Sequence, residues 1–151
     1  MDEADIQRIA KQVAYKNVNE EMEKAFIERQ GKYEQMVHDI LCQHQSRKEF
    51  LASAMKPKDY IKMPQELARE YTRRVNNAHF LTTCVENAME GIESAELRQV
   101  IDLTYFQHET ITQIMDRLFC SNNTVLRWKQ KALHEIAVRM FGVDALGLEE
   151  L

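Results

Sequence analysis

The chain is expected to be all-α, with an N-terminal helical region containing a long amphipathic helix and a C-terminal unit of three shorter helices. Three observations carry that expectation. Glycine and proline, which interrupt helices, number only four and two among 151 residues. Leucine, alanine, glutamate, glutamine, lysine and arginine, which favour helices, are abundant. Aromatic and β-branched residues never settle into the alternating runs that a half-buried strand requires.

The elements follow in order from periodicity and punctuation. Asp5 to about Val18 reads as a short helix with Ile6, Ile9, Ala10 and Val13 on one side, and Asn17 to Glu21 as an interruption or restart. Met22, Phe26, Tyr33, Val37, Ile40 and Leu41 then recur at spacings of three, four or seven. That is the signature of an amphipathic helix of roughly 25 residues. Gly31 lies inside it and costs about 1 kcal/mol relative to alanine, so a kink or break is expected there. The same positions follow an imperfect heptad ending at His44, which suits packing within one chain or a seam between two.

Arg47 to Gln65 is a connector, basic and punctuated by Pro57 and Pro64. Proline disfavours a helical conformation in the residue before it, so a helix should end near Met55 or Lys56. Pro64 suits the opening of the next helix, which runs to Met89. Leu67, Tyr71, Val75, Ala78, Leu81 or Thr82, Val85 and Met89 trace its inner stripe, and Gly91 is the expected stop.

Ser94 reads as the N-cap of a helix through Phe106, with Leu97, Val100, Ile101 and Tyr105 as its apolar side. Phe106 to Glu109 is a short polar link. Thr110 caps a helix over Ile111–Leu118, and Ser121 or Asn122 caps the last long helix, which reaches Phe141 and leaves through Gly142. The chain thus divides into an N-terminal region, 1–63, serving dimerisation or partner contact; a connecting helix, 64–92; a three-helix unit, 93–143; and a short tail, 144–151.

Composition narrows the function. The net charge of −4 argues against a non-specific coat on nucleic acid, yet the charges are unevenly spread. Residues 1–28 hold seven acids and four bases, residues 29–74 ten bases and six acids, and residues 121–141 four bases against Glu135 alone. Cys42, Cys84 and Cys120 are far apart and odd in number, which suggests free thiols in a reducing, cytoplasmic setting. The acidic start, MDEADIQRIA, does not read as a signal peptide, and no apolar run is long enough for a membrane span. The five histidines have no partners at metal-ligand spacing. No glycine-rich phosphate loop, serine elbow or His-Glu-x-x-His segment exists. Neither an enzyme, a cofactor nor a metal site is expected.

The stretch TITQIMDRLFCSNNTVLRWKQKAL, Thr110 to Leu133, has the geometry of a helix-turn-helix: a short helix, a tight connection, and a second helix with one side inward. Ile111, Ile114, Met115 and Leu118 give the first helix its inward stripe. Val125, Trp128, Ala132, Leu133, Ile136 and Met140 do so for the second, where Trp128 belongs to the core rather than stacking on a base. Asn122, Asn123, Leu126 and Arg127 are placed to reach base edges. Asparagine pairs with adenine and arginine with guanine in the major groove, and Leu126 either meets a thymine methyl or packs on a neighbouring element. Ser121, Thr124, Lys129, Gln130 and Lys131 are placed to reach phosphates, fixing register without reading sequence. Lys56, Lys58, Lys62, Arg69, Arg73 and Arg74 either follow phosphates further out or face an acidic segment.

On these residues a family resemblance rests. Leu97 to Ala137 resembles the promoter-reading, region 4 part of bacterial sigma factors, and most of all the sigma-like late transcription regulators of phages and prophages, the ArpU and RinA type. Thr110 with Ile111 and Ile114, then Leu118, Ser121 and Val125, and finally Lys131-Ala132-Leu133 with Ile136 carry the likeness through about forty residues without a gap. In that family the turn often has glycine where Phe119 stands here, and a small residue where Met115 stands. The resemblance implies a regulator of late genes that binds double-stranded DNA through Asn122, Asn123, Leu126 and Arg127, with a second subunit or RNA polymerase as protein partner. Two other readings stay open: a terminase small subunit for DNA packaging, and a helical adaptor between proteins.

Overall fold

The computed structural model describes residues 2–28, 31–142 and 145, the side chains of 12, 14–19, 22, 23 and 25–28 excepted. The helices are α1 (Glu3–Glu28), α2 (Lys32–Cys42), α3 (His44–Ser53), α4 (Pro57–Tyr60), α5 (Gln65–Gly91), α6 (Ala95–Ile101), α7 (Ile111–Leu118) and α8 (Asn122–Phe141). A π-helical turn, Asp102–Phe106, continues α6 and is closed by the Gln107 N–H donating to the Asp102 carbonyl at 2.9 Å. The described residues form an all-α protein with no strand.

Near the N-terminus the break falls beside Gly31. α1 runs through Asn17–Glu21 without interruption, since a single asparagine costs a helix only a few tenths of a kcal/mol, about 0.7 at most. The chain breaks instead before α2, which Gly31 opens in an extended conformation, φ −67° and ψ 168°. The amphipathic run is therefore split between two helices. Its second part packs within the chain: Val37 and Leu41 are fully buried, and Tyr33 and Ile40 lie against the same core. The side chains of Met22 and Phe26 lie outside the described residues. Ile6, Ile9 and Val13, placed on one side of α1 by their spacing, are exposed.

One core joins α2, α5, α6 and α8. Val37 and Leu41 of α2, Val85 and Ala88 of α5, Ile92, Leu97 and Ile101 of α6, and Leu133, Ile136 and Ala137 of α8 pack together. Burying a Val, Leu or Ile side chain completely contributes about 1.5–3 kcal/mol, so Val37 and Leu41 fasten α2 to the C-terminal helices. On α5 the inner stripe passes through Tyr71, Val75, Ala78, Val85 and Ala88, leaving Leu67 on the surface. Tyr71 fastens the connector. Its ring meets Phe50 at 6.2 Å and Tyr60 at 5.2 Å, and its hydroxyl accepts from the Met55 N–H at 2.7 Å.

Two histidines meet aromatic residues. His44 is buried with its ring 5.1 Å from Phe106. His38 is half-buried and hydrogen-bonded to the Tyr105 hydroxyl at 2.7 Å. Gly91 ends α5 as expected. The Arg139 guanidinium lies beside it, and its Nη2 donates to the Gly91 carbonyl. Gly142 leaves α8 with φ +68°, the left-handed region that glycine tolerates.

Candidate nucleic-acid interface

The α7–α8 pair is shaped by local chemistry. Thr110 and Gln113 form a capping box: the Gln113 N–H donates to Thr110 Oγ1 at 3.2 Å and the Thr110 N–H to Gln113 Oε1 at 2.9 Å. Ile111 and Ile114 are buried with Leu103 and Val125 in a second, smaller core, against which Met115, Leu118 and Cys120 also pack. Phe119 turns the chain out of α7 in the left-handed conformation. Ser121 then caps α8, its Oγ accepting from the Thr124 N–H at 3.2 Å. The connection is thus only three residues long, Phe119 to Ser121.

The outward face of α8 carries Asn123, Arg127, Gln130 and Lys131, all exposed. Their spacing of four, three and one aligns them on one side of the helix. Arg127, Gln130 and Lys131 also line a shallow cleft of about 500 Å³ with Leu97, His134 and Glu135. The other expected contact residues are placed differently. Asn122 is half-buried with its Oδ1 shielded from solvent. Leu126 is half-buried and packs against both cores. Ser121 is exposed and Thr124 half-buried, and their hydroxyls lie 3.0 Å apart within the cap.

Lys129 requires a correction. Expected at a phosphate, it is only 2% exposed, and its Nζ lies over the Tyr105 ring, 5.4 Å from the centroid. The helical period explains this: position 129 follows Val125 and precedes Leu133 and Ile136 on the inward stripe. A lysine tolerates that place because its stem is apolar and its ammonium meets an aromatic face. Trp128, as expected, packs on the main core.

Around Tyr105 a polar cluster forms inside the fold. Its hydroxyl meets His38 Nδ1, while His38 Nε2 lies 3.5 Å from Cys42 Sγ. Burial, and secondarily the positive charge of Lys129, holds the His38 imidazole below its ordinary value, against a smaller opposing effect of Asp39. Further along, α2 rests on the C-terminal half of α8. Tyr33 meets Phe141 at 5.2 Å, and Glu34 Oε1 lies 2.8 Å from His134 Nδ1. Asn123 and Arg127 stay exposed beyond that contact. His134 belongs to the same face as Arg127 and Gln130, and extending the helical period by one turn would have found it. Glu34 had no local signal.

Two basic residues of α5 face an acid on their own helix. Arg73 and Arg74 both bond to Glu70, at 2.7 and 3.1 Å. Those hydrogen bonds hold the Glu70 carboxyl below the usual carboxylate range. All three lie at the surface, where such pairs contribute little to stability.

The family model DUF1492, described as a protein of unknown function, matches residues 59–137, just over half of the chain. The chain belongs to the DUF1492 family. Comparison with curated proteins and with solved structures gives no match. The DUF1492 span takes in α5, α6, α7 and most of α8, and with them Asn123, Arg127, Gln130 and Lys131. Among the described residues no helix is long and apolar enough to cross a membrane.

Proposed function

We propose that this chain is a sequence-specific regulator of transcription that reads double-stranded DNA with α8, the second helix of a helix-turn-helix formed with α7. One observation carries the proposal: Asn123, Arg127, Gln130 and Lys131 share an exposed face of a helix that opens directly after a three-residue turn. A helix about 10–12 Å across fits a major groove about 12 Å wide. In that groove Arg127 is suited to the O6 and N7 of guanine and Asn123 to the N6 and N7 of adenine. Gln130 and Lys131, further along, are suited to phosphates, and Ser121 and Thr124 lie at the helix entrance. Because Asn122 and Leu126 are drawn inward, the reading set is smaller than four residues.

The resemblance of Leu97–Ala137 to sigma-like late regulators narrows the role to phage or prophage late genes. A single head with so few base contacts has limited affinity, so a second copy or RNA polymerase is expected to complete the complex.

Selection of bound duplexes from a random pool tests the proposal. Enrichment of a short motif, lost on Arg127→Ala, is the expected result. No enrichment, together with no duplex binding even at low salt, would overturn it. The mass in solution adds a second check: a ring of eight or more subunits would favour a packaging role instead.

A further inference from the structure

Phe119 occupies a place that neither packing nor backbone preference explains. Its φ of 52° and ψ of 47° lie in the left-handed region, which is disfavoured for any residue bearing a Cβ. Its side chain is 94% exposed, the most exposed large apolar side chain described. Ile61 and Phe80 are also exposed, but they have ordinary backbone conformations. His108 shares the left-handed backbone but is polar. Glycine at 119 would relieve the backbone and remove an apolar ring from water. No described residue covers the ring, and a contact beyond the described residues would cover it.

Its location limits what that is. Phe119 ends α7 and stands two residues before Ser121, the cap of α8. The N–H groups of both Phe119 and Cys120 donate to the Met115 carbonyl, so the backbone that carries the ring is tied down. The ring therefore leaves the protein at the entrance of the helix that presents Asn123 and Arg127.

We propose that Phe119 is a specificity residue whose ring seats against the C5-methyl group of a thymine, at the edge of the site read by Asn123 and Arg127. This rests on the reading of α8 as the DNA-reading helix. The chemistry selects thymine. A phenyl ring makes no hydrogen bond, and the thymine methyl is the one apolar group that the major groove displays. Against cytosine the ring would lose the methyl contact and meet only C5–H beside the polar N4 amino group.

Uracil substitution tests this without altering the protein. In the duplex selected by the wild-type chain, each thymine is replaced in turn by uracil, which pairs identically and lacks the methyl. One replacement should weaken wild-type binding about three- to tenfold, as expected for losing one buried methyl contact. Phe119→Gly, which suits the left-handed backbone and should keep the wild-type melting temperature or exceed it, should bind the thymine and uracil duplexes equally while Arg127-dependent selectivity persists. Absence of a uracil effect at every position, with Arg127-dependent selectivity intact, overturns this inference alone. A Phe119→Gly protein that retains the uracil effect does the same, as does one that loses affinity equally for all sequences. Loss of Arg127-dependent selectivity in the wild-type comparison overturns the DNA reading itself.

Discussion

The ammonium of Lys129 lies 5.4 Å from the centre of the Tyr105 ring, inside the protein rather than on the face that α8 turns to solvent. Lys129→Met keeps most of the volume and removes the buried charge, so its stability should stay within about 1.5 kcal/mol of wild type. Lys129→Ala leaves a cavity and should cost about 2–4 kcal/mol, by analogy with other long side chains truncated in a core. Denaturant unfolding of both variants measures this. Equal, small losses would mean that the lysine is not packed as described.

The same placement separates Lys129 from Lys131 in DNA binding. Each phosphate neutralised steepens the loss of affinity with salt, so Lys131→Gln should lower the salt slope by about 1. Lys129→Met should leave that slope unchanged. Affinity for one selected duplex, measured across a salt series, decides the matter; a changed slope for Lys129→Met would contradict the buried position.

Arg127 and Lys131 should differ in kind. Arg127→Ala should cost about 1–3 kcal/mol on the selected duplex and much less on random duplex, which relaxes specificity at one position. Lys131→Ala should weaken both to a similar degree. Paired titrations on selected and random duplex give the comparison, and parallel losses for the two variants would refute the assigned roles.

Acid should destabilise the fold through two histidines. His38 is held below the ordinary 6.5 mainly by burial and then by Lys129, with Asp39 opposing; His44 mainly by burial and then by Arg47 and Lys48, with Glu86 opposing. The folded state therefore binds fewer protons than the unfolded state once pH drops to about 6.5. Stability is fully present above that value and is lost as pH falls through the lowered folded-state values. Denaturation midpoints should fall from about pH 7.5 to about pH 5, and less so in a His38→Gln, His44→Gln double variant. A wild-type midpoint that is flat over this range would count against the assignment.

The capping box of α7 offers a local test. Thr110→Ala removes the acceptor for the Gln113 N–H and should cost about 1 kcal/mol. Thr110→Ser should restore most of that loss. Thermal unfolding of the pair checks it, and an alanine variant as stable as wild type would show that the cap contributes nothing.

Much of the C-terminal part was legible because its signals are local. Ser94, Thr110 and Ser121 each accept a hydrogen bond from the backbone three residues on, as their positions before apolar runs implied. Ile111, Ile114, Val125, Leu133 and Ile136 are buried as their spacing required. The candidate face was legible in part. Asn123, Arg127, Gln130 and Lys131 are exposed, but Lys129 was assigned by its charge when its register was the better guide. A long aliphatic stem obeys the helical period, and the Tyr105 ring lies beneath its ammonium.

The sequence by itself determined that the described chain is helical, where α7 and α8 begin, and which of their faces is apolar, because capping and periodicity act over a few residues. Only the tertiary structure decided what α2 covers, why His44 is buried, and that Phe119 stands exposed on a left-handed backbone. These depend on which surfaces meet across gaps as long as the 100 residues between Glu34 and His134, and no local pattern encodes such meetings.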